Sequence, residues 1–249
     1  MTYNLRYDNS HDGVNAWPYR KGKVIDLLRK YDPDIIGTQE ALTHQLKDII
    51  NALPEYSYVG VGRDDGQEKG EYTAILYKKN RFILKEKNTF WLSEHPDSVG
   101  SKSWDAALTR IATWATLKDN QSKKDFLIIN THFDHIGKEA RLRSAQLIKE
   151  KIPVIANDYA FILTGDFNCT REEPPYTELV KPSQVTLFDT APSSPPGTFC
   201  DFQVDKMECR PIDYIFISSQ WKKKQYSVIT DNDGTYYPSD HLPVLVVLQ

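Results

Sequence analysis

Long apolar runs, an excess of charge of either sign, and cysteine are what this 249-residue chain has least of. No uninterrupted apolar stretch approaches the roughly 20 residues that a membrane span needs, so the chain reads as soluble, without a membrane span. The 31 Lys and Arg residues are nearly balanced by 34 Asp and Glu, for a formal charge of -3 and a pI near 6.1. No global basic field of the kind that draws in nucleic acid is therefore present. Because nonspecific duplex affinity comes largely from phosphate neutralisation, a long duplex is disfavoured as a partner, and short nucleic acid stays open. Zinc signatures such as HExxH or paired cysteines are missing. Neither a repeat of fixed short period nor a low-complexity tract appears.

The three cysteines are Cys169, Cys200 and Cys209. Cys200 and Cys209 flank a short segment of hairpin character, where opposed strand positions bridge in an oxidising compartment; the alternative is three reduced thiols. "MTYNLRYD" has the character of a strand but begins at Met1, without room for the usual five or six residues or so of a central strand. Upstream residues are expected, with a removed export signal and an ordinary disordered terminus as the two explanations. No apolar leader stands in the chain itself. Export and a cytoplasmic location both stay open, and a monomer is expected.

What is present is a dense alternation of short elements. "VIDLLRKY" and "THQLKDIINAL" have helical spacing, and "EARLRSAQLIKEKI" is amphipathic. Strands are expected at "DPDIIGTQE", "YSYVGVG", "YTAILYK", "TRIATWATL", "DFLIINTHFDH", "AFILTGDFN", "PIDYIFIS", "QYSVIT" and "HLPVLVVL". The Pro-rich span from Pro174 to Pro196 reads as a loop region. Strands throughout, with helices between some of them, suit one α/β domain of two stacked sheets with helices outside.

Polar residues recur where these strands end. In "TGDFN", Asp166 and Asn168 share a strand face and point together from its end. Asn4, Glu40, His132, Asp213, Asp240 and His241 stand at comparable junctions. Singly each has a bland reading: Asn4 bonding its own backbone, Glu40 capping a helix near Ala41, Asp213 in a turn. Together they form a chemically coherent set. Carboxylates and amide oxygens suit Mg2+ or Mn2+, with Glu40 and Asp240 in that role. Asp213 is placed to orient His241 as an imidazolium, and Asp166 to orient or deprotonate a water.

"TYNLR", "GTQE", "NTHFDH", "GDFN", "IDYIF" and "SDHLPV", in that order from Asn4 to Val244, resemble the successive motifs of the endonuclease/exonuclease/phosphatase superfamily, the deoxyribonuclease-I-like fold. The resemblance implies a four-layered α/β sandwich of two mixed β-sheets packed face to face, and a metal-dependent phosphoester hydrolase, with a phosphodiesterase placed first. It implies Glu40 as principal metal ligand with Asn4 nearby and Asp240 contributing, and Asp166 aligning the water. Asn168 and His132 would contact phosphate oxygens, and His241, oriented by Asp213, would stabilise the transition state. Abasic-site endonucleases of the superfamily carry an acid where this chain has Arg6, which weakens a repair-nuclease reading. Arg6 would meet a phosphate or form a structural salt bridge.

The substrate is less legible. The span from Trp91 to Arg110 carries Trp91, Trp104, Asp105 and Arg110; stacking on a base or sugar with a phosphate clamp, and plain packing, are its two readings. Glu71 and Tyr72 pose a similar choice, the acid reaching the substrate or remaining in solvent, and His135 is assigned no chemistry. Lys222 to Lys224 read as a solvated edge. With Arg141 or Arg143 before Gln146, the pattern looks most like a bacterial branch distantly similar to deadenylase-like members. A nuclease or deadenylase-like activity and a lipid or inositol headgroup hydrolase are the alternatives, and a non-catalytic binding module on the same fold is the alternative of another class.

Overall fold

The computed structural model describes residues 1–205 and 208–249. Its strands are β1 (Thr2–Asn4), β2 (Ile35–Gln39), β3 (Tyr56–Val59), β4 (Ile75–Lys78), β5 (Phe82–Trp91), β6 (Ile111–Asp119), β7 (Asp125–His132), β8 (Ala160–Asp166), β9 (Phe188–Asp189), β10 (Asp213–Ile217), β11 (Lys223–Val228) and β12 (Val244–Leu248). The helices are α1 (Trp17–Tyr31), α2 (Thr43–Ala52), α3 (Lys138–Ala156) and α4 (Pro174–Val180). One sheet runs β11-β12-β1-β2-β4-β3 and the other β5-β6-β7-β8-β10-β9. Both are mixed: β1 with β2 and β7 with β8 are parallel, and the remaining neighbours antiparallel.

Three apolar layers follow from the two-residue period of the strands. In β7, Phe126 and Ile128 face the other sheet, where Val59, Ile75, Tyr77 and Val244 meet them. Leu127 and Ile129 face outward onto Ala145, Ile148 and Ile152 of α3 and Leu179 of α4. On the other side, Val24, Leu27 and Leu28 of α1 and Leu46 and Ile49 of α2 cover Tyr3, Ile36 and Leu76. The result is the expected four-layered sandwich. No described helix is long and apolar enough to cross a membrane.

Two expectations need correction. β5 has no counterpart in the sequence reading, because its centre, Lys85 to Asn88, is exposed and charged or polar and breaks the apolar alternation on which strand recognition rests. The Pro-rich span is not all loop. Pro174 and Pro175 open α4, where a missing N–H costs nothing because first-turn donors lack intrahelical partners, and β9 lies within the same span. Cys200 and Cys209 are bridged, and Cys169 is a buried thiol.

Between the sheets lies a polar bridge, with a Thr73–Thr113 contact as a smaller one beside it. The Asn130 amide on β7 donates to the Thr38 carbonyl at 2.8 Å and the Ala74 carbonyl at 3.0 Å, both across the interface. Its oxygen accepts from Gln39 at 2.7 Å and from Thr164 at 3.0 Å. The contact is possible because residue 37 is glycine: a Cβ there would fall 2.3 Å from the Thr164 hydroxyl and 2.6 Å from the Asn130 oxygen. Gly37→Ala is therefore expected to cost about 1–3 kcal/mol by overpacking, a fall of roughly 3–10 °C in Tm for a domain of this size; scanning calorimetry of the two proteins decides it, and an unchanged Tm would show that the sheets separate freely there.

Candidate active site

At one end of the sandwich the strand register brings polar residues into a row. His132 pairs with Asp166 across β7 and β8, and Asp166 with Asp213 across β8 and β10. Residues directly opposed across strands project to the same face, so this register alone gathers an imidazole and two carboxylates. Asn4 ends β1 and Glu40 follows β2, facing them from the other sheet. Three residues here have left-handed backbone: Arg6 (φ 53), Glu40 (φ 62) and Asn168 (φ 48). Asparagine accepts this conformation readily; Glu and Arg do so at a cost that clusters at functional sites.

Asp166 is the hub. Its Oδ2 accepts from the Asn4 amide at 3.0 Å and lies 3.3 Å from His132 Nε2 and 3.7 Å from His241 Nε2, while its Oδ1 accepts the Asn168 backbone N–H at 3.0 Å. Burial, reinforced by the charge of Asp213 and opposed by His241, raises the Asp166 carboxyl to about 7. Burial alone would lower the pKa of His241, but the charges of Asp213 and Asp166 outweigh it and hold the imidazolium well above its ordinary value. Its Nδ1 donates to Asp213 at 2.8 Å. Burial, with Glu40 adding to it, lifts Asp240 to about 6 against the pull of His241 and Arg6.

The expected set comes together, with changes in detail. Asn4 accepts the Arg6 backbone N–H on its oxygen, at 2.9 Å, and turns its amide nitrogen to Glu40 and Asp166. In this arrangement the Asn4 amide nitrogen orients the two carboxylates expected beside it. Arg6 takes the salt-bridge reading, a 2.9 Å fork onto Asp12, with Glu40 at 4.0 Å and Asp240 at 3.9 Å. Asn168 donates to the Phe133 carbonyl at 3.0 Å. Glu71 pairs with Arg63 at 2.8 Å and is pushed by burial and Glu40 up to about 7.

Arg110, expected as a phosphate clamp, is only 5% exposed and directs its terminal nitrogens at His132 Nδ1 and His135 Nδ1. Trp104 lies outside the cleft lining. Trp91 is buried, with its indole N–H on the Arg63 carbonyl, as the packing reading has it. Asp105 accepts from the Glu139 and Ala140 N–H groups in the first turn of α3. Arg141 donates to the Asp134 carbonyl, and Arg143 pairs with Glu139.

These groups floor a cleft of about 580 Å3 whose far wall the sequence reading missed: Phe199, Phe202, Arg210 and Tyr236. The disulfide positions that wall. Phe199 and Arg210 flank Cys200 and Cys209 and pair with each other as an isolated bridge, and Phe199 pairs with His241. The Cys200 N–H reaches the Asp240 carbonyl at 2.8 Å, and the Phe199 ring lies 5.0 Å from that of His241. The one available signal is the aromatic and cationic flanks of the cysteine pair.

Residues 1–241 match a family model described as the Endonuclease/Exonuclease/phosphatase family. The chain superposes on the endonuclease/exonuclease/phosphatase from Bacteroides vulgatus with a TM-score of 0.94 and 41% identity, covering 100% of this chain and 97% of that one. It is similarly close to a mannosyl-6-phosphatase of Bacteroides thetaiotaomicron, with a TM-score of 0.91, 41% identity, and 100% and 98% coverage. Among curated relatives, a protein of Acanthamoeba polyphaga mimivirus is 32% identical over 162 residues, 62% of this chain and 60% of that protein. The Arabidopsis thaliana protein named Carbon catabolite repressor protein 4 homolog 3 is 23% identical, over 95% of this chain and 52% of its own length. The chain spans three fifths or less of these two curated relatives.

Removing the carboxylate that holds the imidazolium tests the electrostatics directly. In Asp213→Asn, burial is left to dominate, so the His241 pKa is expected to fall and its proton to come off at lower pH than in the wild type; an NMR titration of the histidine ring protons reads this, and an unmoved His241 would show that Asp213 is not what charges it.

Proposed function

Since this chain belongs to the endonuclease/exonuclease/phosphatase family, whose members hydrolyse phosphoesters, we propose that it is a divalent-metal-dependent phosphoester hydrolase in which Asp166 activates water for in-line attack on phosphorus. The observation that carries this is the environment of Asp166: buried, held by Asn4 and Asn168, and raised to about 7. A general base poised near the working pH combines the right protonation state with driving force for proton transfer.

The other roles follow from charge. His241, kept cationic by Asp213, stabilises negative charge developing on the phosphoryl oxygens. His132, whose pKa burial and Arg110 hold well below the ordinary imidazole value, is neutral and offers a hydrogen bond without a charge. Asn168 contacts a phosphate oxygen. Glu40 and Asp240 would hold the metal: both carboxylates lie within about 4 Å of the Arg6 guanidinium, and Glu40 raises Asp240. Such hard oxygens match Mg2+ or Mn2+, and ligand atoms of Glu40, His132 and Asp166 lie within 4.8 Å of one another. That ion would polarise a phosphoryl oxygen and neutralise its charge. The presence of the whole set supports catalysis over a binding module.

For the substrate we favour a phosphomonoester of a small neutral sugar over the phosphodiester that the sequence reading placed first. Besides the His241 imidazolium, the cleft lining carries three guanidinium groups, Arg6, Arg110 and Arg210, against six acidic side chains, Asp12, Glu40, Glu71, Asp166, Asp201 and Asp240. Such a balance offers a polyanion little counterion release, which disfavours polynucleotides and inositol polyphosphates. Phe199, Phe202 and Tyr236 beside Asp12 and Asn15 supply the aromatic faces and polar rim that suit an uncharged polyol. The similarity to a protein named a mannosyl-6-phosphatase supports the same choice.

Release of phosphate from hexose 6-phosphates is expected in Mg2+ or Mn2+ and is expected to vanish in EDTA, with bis(p-nitrophenyl) phosphate and short RNA cleaved more slowly. Asp166→Asn is expected to lower kcat by about 10²–10⁴ with the Tm retained. Wild-type turnover in that variant removes Asp166 from the mechanism, and faster cleavage of RNA reverses the choice of substrate.

A further inference from the structure

Arg110 does something unusual for a buried guanidinium. Carboxylates lie on either side, Glu71 at 4.0 Å and Asp134 at 3.6 Å. Yet its short contacts are to two imidazoles, Nη1 to His132 Nδ1 at 2.9 Å and Nη2 to His135 Nδ1 at 3.1 Å. Guanidinium has five N–H donors and no acceptor. Both Nδ1 atoms must therefore accept, and a ring whose Nδ1 accepts carries its proton on Nε2. The Asn168 amide nitrogen, 3.1 Å from His132 Nε2, is then a neighbour and not a partner. The His132 N–H is left facing Asp166 Oδ2, 3.3 Å away.

We infer that Arg110 is a positioning residue that locks His132 and His135 in the Nε2–H form, and that His135 is a second imidazole donor for the oxygens of the bound phosphate group. His132 and His135 both line the cleft with Arg110, and His135 is exposed where His132 is buried, so the His132 donor faces Asp166 at depth and the His135 donor stands at the mouth. Asp134 holds the intervening turn: its carboxylate accepts from the Leu108, Ile136 and Gly137 N–H groups, tying the segment before Arg110 to the segment that carries His135. A lysine in place of Arg110 has a point charge and no fork, so it cannot fix both rings.

The inference rests on the phosphoester reading, but its primary test needs no turnover. In the 15N-histidine NMR spectrum of the full chain at neutral pH, His132 and His135 are both expected as neutral rings with Nδ1 unprotonated; in Arg110→Lys at least one is expected to become a mixture of tautomers. A wild-type ring protonated on Nδ1 overturns the lock. Inorganic phosphate serves as the binding probe in the presence of Mg2+: His135→Ala is expected to weaken it roughly tenfold, and His135→Gln, whose amide keeps a donor near the Nε2 position, to recover most of the loss. Equal phosphate affinity in wild type and His135→Ala overturns the role of His135. With substrate, His135→Ala is expected to raise KM by more than it lowers kcat. A wild type that binds phosphate but hydrolyses no phosphoester sinks the hydrolase reading alone.

Discussion

The two sheets beneath the cleft are tied by the Asn130 amide, which makes more hydrogen bonds across the interface than the Asn4–Asp166 and Thr73–Thr113 contacts beside it. Its nitrogen takes two carbonyls of the opposite sheet and its oxygen accepts from Gln39 and Thr164. A buried amide with every valence used is geometrically demanding, because leaving one unmet costs more than the bond gains. Apolar packing above and below is tolerant of sliding; this network is not. Glu40 follows directly on Gln39, and Asp166 stands two residues beyond Thr164. Thus the hydrogen bonds that set the sheet distance also set the distance between a carboxylate from one sheet and a carboxylate from the other.

That placement creates an electrostatic problem which the site resolves internally. Asp166, Asp213 and Asp240 are all nearly inaccessible to water, where unpaired charge is expensive. The protein answers with His241 as a resident cation between Asp213 and Asp166, and with Arg6 and Arg20 near Asp240. On the β7 side the polarity reverses. Burial, reinforced by Arg110 and Arg63, suppresses protonation of His132, so two imidazoles separated by one carboxylate hold opposite charge states.

Much of this arrangement is legible in the sequence, for a physical reason. Strand ends are marked by a switch from apolar alternation to a single acid, amide or imidazole, so Glu40, His132, Asp166, Asn168 and Asp213 stand out before any coordinates. The six ordered motifs then give the sheet architecture. What stays hidden depends on which rotamer a long side chain adopts and on contacts distant in sequence. Arg6 and Arg110 are visible as candidates, yet nothing in the sequence tells that one closes on Asp12 and the other on two histidines. β5 is hidden because its outward face is charged, and α4 because Pro174 and Pro175 signal a loop as readily as a helix start. The cleft wall at Phe199 and Tyr236 has no periodic signature, since two loops carry it, one tied by the disulfide and the other lying between β11 and β12.

A sheet of finite width leaves open borders, and the four borders here are treated in ways that bear on self-association. β5 and β11 are the long ones, and each presents lysines, at Lys85 and Lys87 and at Lys223 and Lys224, with a register shift in the ladder beside them. The opposite borders are short: four residues in β3 and two in β9. Cations on an exposed border repel a second copy offering the same face, and a bulge or a short strand leaves too little straight backbone for a foreign strand to zip against. The two sheets therefore stack on each other through their faces while their sides offer little to a strand from another chain.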